Sequence, residues 1–467
     1  MKKTFFNNHI ITAGLLLTAG LAASCKKLIE IPPNPPTKIA ESQQFADSAS
    51  AMAAIAYVYS YAAQTTSGVG YADGLLAEAA GLSSDELISP NSSDPNILEF
   101  YNYGLTDINS NISSLWGSPY TSLYIVNDVI AGVKSSTGVS PAFRTQITAE
   151  MKVMRSLYYF NLVNLFGGVA LALTPDYSVN AALPRASVDS VYGQIIADLT
   201  DAQRNLSAGY PSSGHIRPCQ LVATALLSRV YLYRQRWQDA YNAANTVLTS
   251  GQYSLVTDPN KVFLNGSTEA IWQLPATGPN HVTAEAYNFI PRSNGTVPAF
   301  PLNTWLINAF EPGDQRMQDW LGKVTVGGQT FYYPYKYKNV LTSSPTAEDY
   351  MILRLAEQYL IRAEASAELG NNAAALADVN TVRVRAGLAA STADPNSQTA
   401  VLNAIMHERQ IELFTEWGHR WYDLKRTGMA GTVLPAEKTG WNANAALYPV
   451  PRLQLQDDVN LKQNPGY

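Results

Sequence analysis

Beyond residue 150, apolar residues recur every three or four positions, which is the spacing of helices that bury one face. Residues 151–166 are mostly apolar, contain no proline or glycine, and end at Gly167-Gly168. They predict a well-buried helix with a glycine stop. Residues 187–206 begin with Ser187, a favoured N-cap residue, and continue with apolar residues at helical spacing. A second helix is predicted there.

Two pairs of helices with short connections are predicted further along, at 220–233 with 238–248 and at 357–369 with 373–385. Both pairs carry a leucine and an arginine at matching places, Leu227 and Arg229 in the first and Leu360 and Arg362 in the second. Alanines recur where packed helices must approach closely. This arrangement is typical of tetratricopeptide-like hairpins, which repeat about every 34 residues. We therefore expect a mostly α fold, a tetratricopeptide-like helical hairpin scaffold with long irregular loops carrying a few short strands.

Two stretches, 61–120 and 252–350, lack long helical periodicity and are rich in Gly, Pro, Ser, Asn, Thr and aromatic residues. Such segments on a helical scaffold usually carry the binding function, so we expect variable ligand loops there. Within the second stretch, the alternation over 331–337 predicts a strand. An aromatic binding platform is the alternative interpretation of that run.

The N-terminal segment is typical of a targeting signal rather than of a folded domain. A basic start is followed by apolar and small residues over 10–23, a stretch too short to span a bilayer core of about 20 helical residues. Cys25 follows directly, so the segment resembles a bacterial lipoprotein signal. This resemblance implies removal of 1–24, lipidation of Cys25 and a proline-rich tether over 25–40, with a single helical domain over 41–467. An ordinary signal peptide with a chance cysteine is the alternative.

Composition narrows the class of protein. Of 467 residues, 46% are hydrophobic and only 15% charged, which excludes a disordered chain. The formal net charge of −5 argues against a general nucleic-acid binder, which needs a basic face for phosphates. With Cys25 lipidated, Cys219 has no disulfide partner, and its place at the head of an apolar helix predicts a small buried side chain.

Motifs for catalysis are absent from the sequence. The chain has no Gly-x-Ser-x-Gly, His-Glu-x-x-His, Cys-x-x-Cys or Walker sequence. The five histidines are scattered, so neither a metal site nor a cofactor is expected. A glycosidase needs only two carboxylates about 5–10 Å apart, and the sequence leaves that alternative open.

Segments spread over most of the chain share the pattern and order of one known family: 150–168, 183–199, 225–232, 353–365, 408–426 and 448–467. Together with the lipoprotein cysteine, they make the chain resemble the SusD/RagB family of outer-membrane lipoproteins of Bacteroidota. One departure is Trp417-Gly418, where the family more often has Glu-Gly. Charged residues of these motifs are expected to form buried ion pairs, namely Arg155, Arg354, Arg362, Glu364, Arg409, Glu412, Arg420 and Asp423.

The resemblance implies a function. Members of the family capture glycans at the cell surface and deliver them to a SusC-like TonB-dependent transporter in the outer membrane. We therefore expect a lipid-anchored glycan-binding protein without catalytic activity. A peptide-capturing member of the same family, a glycan-active hydrolase and an assembly adaptor without its own ligand are the alternatives.

Sugar rings present apolar C–H faces and a rim of hydroxyls, so a site needs flat aromatic rings beside short polar side chains. The candidates in the variable stretches are Tyr71, Asp73, Tyr101, Asn102, Tyr103, Tyr287, Asn288 and Trp320. Trp116 and Trp305 are expected to be structural, because each belongs to an apolar helical pattern. Asp314 and Arg316 are likewise interpreted as structural.

Overall fold

The computed structural model describes residues 41–64, 71–90, 92–276, 282–293, 295–340 and 347–467. The predicted signal sequence, Cys25 and the tether lie outside the described residues. The described chain is mostly helical, with three two-stranded antiparallel sheets among its described parts. The expected fold class is confirmed.

Helices of the first half are, in chain order, α1 (Glu41–Gln44), α2 (Ser48–Ala62), α3 (Leu75–Ser83), α4 (Pro95–Tyr101), α5 (Ser110–Ser135), α6 (Pro141–Phe166), α7 (Tyr177–Asn180), α8 (Val188–Asn205), α9 (Gln220–Tyr233) and α10 (Trp237–Leu248). Those of the second half are α11 (Ala284–Phe289), α12 (Thr304–Ala309), α13 (Gln315–Asp319), α14 (Leu355–Glu368), α15 (Asn372–Arg385), α16 (Gln398–Glu412), α17 (His419–Arg426), α18 (Ala430–Glu437) and α19 (Arg452–Asp457). Short 3₁₀ turns occupy Ser213–His215, Pro259–Lys261 and Ala443–Ala446.

The strands are β1 (Val169–Ala170), β2 (Arg185–Ala186), β3 (Ala270–Pro275), β4 (Leu321–Val326), β5 (Gln329–Pro334) and β6 (Asp349–Arg354). They pair as β1–β2, β3–β6 and β4–β5. The predicted strand over 331–337 overlaps β5, which forms a regular hairpin with β4 through Gly327-Gly328. The stretch 61–120 holds two short helices, α3 and α4, and the first turns of the long helix α5.

Helix α6 is longer than its apolar run predicts. It begins after Ser140, whose hydroxyl accepts a hydrogen bond from the Phe143 amide at 3.2 Å, with Pro141 at the first helical position. It ends at Gly167, which adopts a φ of 74° that favours glycine. Because α6 packs between α5 and α8, nearly all its later residues are buried, and it forms the centre of the N-terminal half.

The two predicted hairpins form and lie side by side. Helix α9 packs on α10, α14 packs on α15, and α10 in turn packs on α14. Completely buried alanines such as Ala240 and Ala363 let these helices approach closely. The repeated arginine of the first pair, Arg229, donates to Glu357 at 2.6 Å and so connects α9 with α14.

The motif charges form buried ion pairs, as the sequence predicts. Each is matched at hydrogen-bonding distance: Arg155 with Asp198, Arg362 with Asp378, Arg409 with Asp423, Arg420 with Asp85, Arg426 with Glu364, and Arg354 with Glu412 and Glu416. Arg316 pairs with Asp314 at 2.8 Å and is itself buried, which confirms both as structural. The thiol of Cys219 is fully buried, again as expected.

Candidate functional site

The start of α3 and the short helix α11 bring together residues that are far apart in the sequence. Gly74 precedes α3 with a φ of 80°, and a Cβ there would lie only 3.2 Å from the Cβ of Ala284. The side-chain amide of Asn288 donates to Glu78 Oε1 at 2.5 Å across the same junction. Tyr71 and Asp73 therefore lie in one region with Tyr287 and Asn288, four of the eight predicted site residues.

Tyr71 and Asp73 are buried and form structural contacts beneath this region. The Tyr71 ring is buried and stacks on Trp417, with centroids 5.4 Å apart and planes at 15°. The edge of the Tyr158 ring closes another side of Tyr71 at 4.9 Å. Asp73 accepts a hydrogen bond from the Leu75 amide at 3.0 Å and so holds the entry to α3. Both neighbours cover the Tyr71 ring, so the structure does not support contact between this ring and a ligand.

A groove nevertheless runs beside these two residues. It is narrow, with a cavity volume of about 20 Å³, and lies between the 71–76 segment and the α5 residues Ser114, Leu115, Ser118 and Pro119. Pro119 lies inside α5 and has no amide hydrogen, so the usual helical bond to the Leu115 carbonyl cannot form. The groove thus combines apolar walls with hydroxyl and carbonyl groups.

Tyr287 is the one aromatic candidate that presents its ring to solvent. The residue is 59% exposed on the outer side of α11. The guanidinium carbon of Arg292 lies 3.3 Å from its ring centroid, a stacked cation–π arrangement. Arg292 is itself exposed, so the outward edge of its guanidinium offers several N–H donors. Sequence reasoning missed Arg292, although an arginine five residues after a tyrosine in a variable loop is a usable signal.

Two buried carboxyl groups near this surface, those of Glu78 and Glu285, have raised pKa values. Burial raises the pKa of Glu78 to about 8, and the nearby Asp73 and Glu285 add to the shift, while the Asn288 hydrogen bond opposes it. Burial likewise raises the pKa of Glu285 to about 8. Both groups are therefore mainly neutral at neutral pH, and the surface beside Arg292 carries less negative charge than its sequence implies.

The predicted group Tyr101, Asn102 and Tyr103 forms a turn that packs on the segment after α18. Tyr103 is buried, donates its hydroxyl to the Ser83 carbonyl at 3.1 Å, and meets the Trp441 ring edge-on at 5.1 Å. Its predicted ligand role is wrong in that its ring is enclosed. Tyr101 is half-buried and Asn102 is exposed.

Lys438 explains why this turn is structural. Its ammonium lies 4.7 Å from the Tyr101 ring centroid and donates to the carbonyls of Leu82 and Ser84. Burial lowers the pKa of Lys438 to about 7. The lysine thus joins the end of α3 to the aromatic turn, and Asn102 remains the member of the group that a ligand can reach fully.

The tryptophans differ in how far they are exposed to solvent. Trp320 is fully buried, and its indole donates to the Pro259 carbonyl at 2.9 Å, so its prediction as a ligand residue is wrong. Trp305, expected to be structural, is 51% exposed. Trp116 is buried against Phe166, as expected. Trp417 stood out in the sequence only because the family more often has glutamate at that place. In the structure its ring stacks on Tyr71.

Within the described ranges, no group of three or more His, Cys, Asp or Glu side chains is arranged to hold a metal ion. None of the helices in the described part of the chain is long and apolar enough to cross a bilayer.

Family models match two successive parts of the chain. Residues 41–232 match a family described as starch-binding proteins associating with the outer membrane, and residues 318–467 match the SusD family. A SusD-like protein of Formosa agariphila is 24% identical, and the alignment covers all of both chains. These matches include α2 to α9 and β4 to the C-terminus, and thus most of the elements described above.

Solved structures agree with the sequence matches. A laminarin-binding SusD-like protein is 26% identical with a TM-score of 0.77, and the match covers 90% of this chain and 100% of that one. A SusD superfamily protein of Bacteroides vulgatus has a TM-score of 0.80 at 21% identity, over 91% of this chain and 100% of that one, which shows the shared fold. On the matched segments, their order and the fold, the chain belongs to the SusD/RagB family.

Proposed function

We propose that the protein is a glycan-binding lipoprotein of the outer membrane, anchored through Cys25, that captures oligosaccharide or polysaccharide at the surface formed by α3 and α11. The observation that carries the proposal is the exposed Tyr287 ring stacked with Arg292 on the outer side of α11. The family description as starch-binding and the laminarin-binding relative support a glycan as ligand.

The chemistry of this surface suits a sugar. The exposed part of Tyr287 covers an apolar C–H face, while the guanidinium of Arg292 donates hydrogen bonds to ring hydroxyls. Because Arg292 is already stacked on Tyr287, little side-chain freedom is lost when a ligand binds. The neutral state of Glu78 and Glu285 avoids burying two charges beneath the bound sugar.

Affinity electrophoresis of the mature protein in gels containing neutral or acidic polysaccharides tests this proposal. One class of glycan should retard the wild type, and Tyr287→Ala or Arg292→Ala should reduce the retardation. Tyr177→Ala is the matched control, because Tyr177 is 82% exposed on the separate helix α7. Retardation that survives both substitutions at Tyr287 and Arg292 would argue against this site.

Delivery to a SusC-like TonB-dependent transporter is the second part of the proposal. It predicts that the lipidated protein co-purifies with a barrel protein from outer membranes, and that Cys25→Ser releases it from the membrane fraction. Binding of peptides but not glycans would favour a peptide-capturing protein instead. Release of reducing ends from a glycan, abolished by replacing one carboxylate, would favour a hydrolase.

A further inference from the structure

A second surface of the protein is built largely from two stretches of sequence without charged residues, with Asp128 one turn beyond Tyr124. The sequence contains no charged residue over 48–72, which includes the whole of α2, and none over 108–127, which includes the first two-thirds of α5. On α2, the residues exposed to solvent include Ala53, Ala56 and Tyr57. An exposed helix usually carries charges on its outer side, so this face differs from an ordinary solvated helix.

Helices α2 and α5 lie antiparallel, which places their tyrosines together. Near the start of α2, the Phe45 ring fills the space above Gly132 in the last turns of α5. At the other end of α2, the Tyr61 hydroxyl lies within hydrogen-bonding reach of the Thr121 side chain. One turn back along α2 is Tyr57, and one turn on along α5 is Tyr124. The antiparallel alignment therefore sets Tyr57 beside Tyr124.

These tyrosines present their rings to solvent. Tyr57 is 51% exposed and Tyr124 is 54% exposed, while Tyr61 is half-buried between α2 and α5. The rings of Tyr57 and Tyr61 have centroids 5.8 Å apart and planes inclined by 44°. We call Tyr57, Tyr61 and Tyr124 the tyrosine face. Two inclined rings with a third beside them form a shallow aromatic surface rather than a flat apolar one.

We propose that the tyrosine face is a second carbohydrate-binding surface, specific for an uncharged glycan. The proposal rests on the proposed function and names the ligand class. Because no charged side chain lies on these stretches, the face gains nothing from a carboxylate- or sulfate-bearing glycan. Phenol rings stack on C–H faces of sugars, and their hydroxyls, with that of Thr121, bond the sugar rim.

The tyrosine face continues towards the groove beside Tyr71. Ser118 and Pro119 line that groove, and Thr121 follows them on the same helix within one turn. A single extended glycan on the tyrosine face can thus run towards the segment that leads into α3. Linking two contact areas through one polymer raises affinity by an effective-concentration gain on the order of 10²-fold or more.

The test compares Tyr57→Ala/Tyr124→Ala with Tyr57→Phe/Tyr124→Phe and with Tyr287→Ala in the mature protein. Both positions are half exposed, so the double variants should fold, and circular dichroism melting checks this. Affinity for a neutral polysaccharide such as laminarin or starch should fall by about tenfold or more in the alanine variant. The phenylalanine variant keeps the rings and should retain most of the binding. Salt should leave the wild-type affinity unchanged, because no ion pair forms.

The outcomes separate the two proposals. If Tyr287→Ala abolishes glycan binding and Tyr57→Ala/Tyr124→Ala does not change it, the tyrosine face is overturned and the α3–α11 site stands. If no glycan binds the wild type, both proposals fail. If the alanine variant keeps glycan binding but no longer co-purifies with an outer-membrane barrel, the face is a protein contact and the carbohydrate assignment is wrong. Preference for acidic over neutral glycans at this face would also overturn it.

Discussion

The rings of Tyr71 and Trp417 stack in parallel, with centroids 5.4 Å apart and planes at 15°. Tyr71 comes from the segment before α3, and Trp417 lies between α16 and α17. Trp417 also donates its indole N–H to the Met351 carbonyl of β6 at 2.7 Å. The stack therefore ties the wall of the groove to the C-terminal half, so the position of the candidate site depends on a distant tryptophan.

Replacing Trp417 with alanine should loosen that wall. Loss of the ring contacts and of the indole hydrogen bond is expected to lower the free energy of unfolding by about 2–4 kcal/mol. Chemical denaturation measures this change. Glycan affinity should fall as well, because Tyr71 loses the ring that fixes it.

Trp417→Phe is the matched control. It keeps an aromatic ring against Tyr71 and loses the indole donor, so both stability and glycan affinity should lie between those of the alanine variant and the wild type. Equal affinity in all three proteins would show that the stack does not position the site.

The buried carboxyl group of Glu78 should make stability depend on pH. Burial raises its pKa in the folded state to about 8, from an unfolded value near 4.5. Between these values the folded state holds a proton that the unfolded state lacks, so this group's contribution falls as pH rises through that window. Glu78→Gln removes the titration and keeps an acceptor for Asn288.

Thermal melting from about pH 5 to about pH 9 tests this prediction. Relative to the wild type, Glu78→Gln should gain stability towards the alkaline end and change little at the acidic end. Glu99→Gln is a suitable comparison, because that carboxylate is only half-buried and accepts hydrogen bonds from the Thr106 and Asn109 side chains. Parallel pH curves for wild type and Glu78→Gln would contradict the assignment.

The pKa of Glu412 is shifted in the opposite direction to that of Glu78. Burial alone would raise its pKa, but Arg385, Arg354 and Arg316 outweigh burial and hold the pKa well below the ordinary 4.5. Its contribution to stability is therefore present above about pH 4.5 and is lost as pH falls through the depressed value.

Glu412→Gln should be severely destabilising, by about 3–5 kcal/mol, because it leaves three buried guanidinium groups short of a negative partner. Denaturation at neutral pH measures this loss. Asp239→Asn, which removes a partly exposed ion pair with Arg236, is the control and should cost about 1 kcal/mol or less. Similar losses for the two variants would contradict the view that the motif charges support the core.

Trp320 and Tyr287 should respond in opposite ways to substitution. Trp320→Ala opens a cavity in the core and should cost about 3–5 kcal/mol of stability, while the folded fraction still binds glycan. Tyr287→Ala should leave the melting temperature nearly unchanged and reduce binding. Denaturation and affinity electrophoresis on the same preparations distinguish the two effects.

The helical scaffold was predictable because its signals are local. The run that ends at Gly167 and the paired hairpins with Leu227 and Leu360 carry the apolar period of helices that bury one face. Their boundaries fell within a few residues, except where a start signal such as Ser140-Pro141 lay ahead of the apolar run. The motif arginines were also predictable as structural, because a charge within an apolar helix needs a partner.

The candidate site was only partly predictable. The composition of the variable stretches pointed to Tyr287 and Asn288 and to Tyr71 and Asp73, and the fold brought the two pairs together. It also buried Trp320 and Tyr103 and exposed Trp305, because exposure of a loop aromatic depends on contacts made by elements distant in sequence.

By itself, the sequence determined which segments become helices, which charges must be paired and which family the chain resembles, since these follow from period, polarity and motif order. Only the tertiary structure decided which aromatic rings face solvent. Tyr287 keeps its ring outside because α11 packs on α3 through Ala284 and Asn288, while Tyr71 is covered because Trp417 arrives from the other half of the chain. A ring's exposure is a property of its neighbours in space, and those neighbours are not its neighbours in sequence.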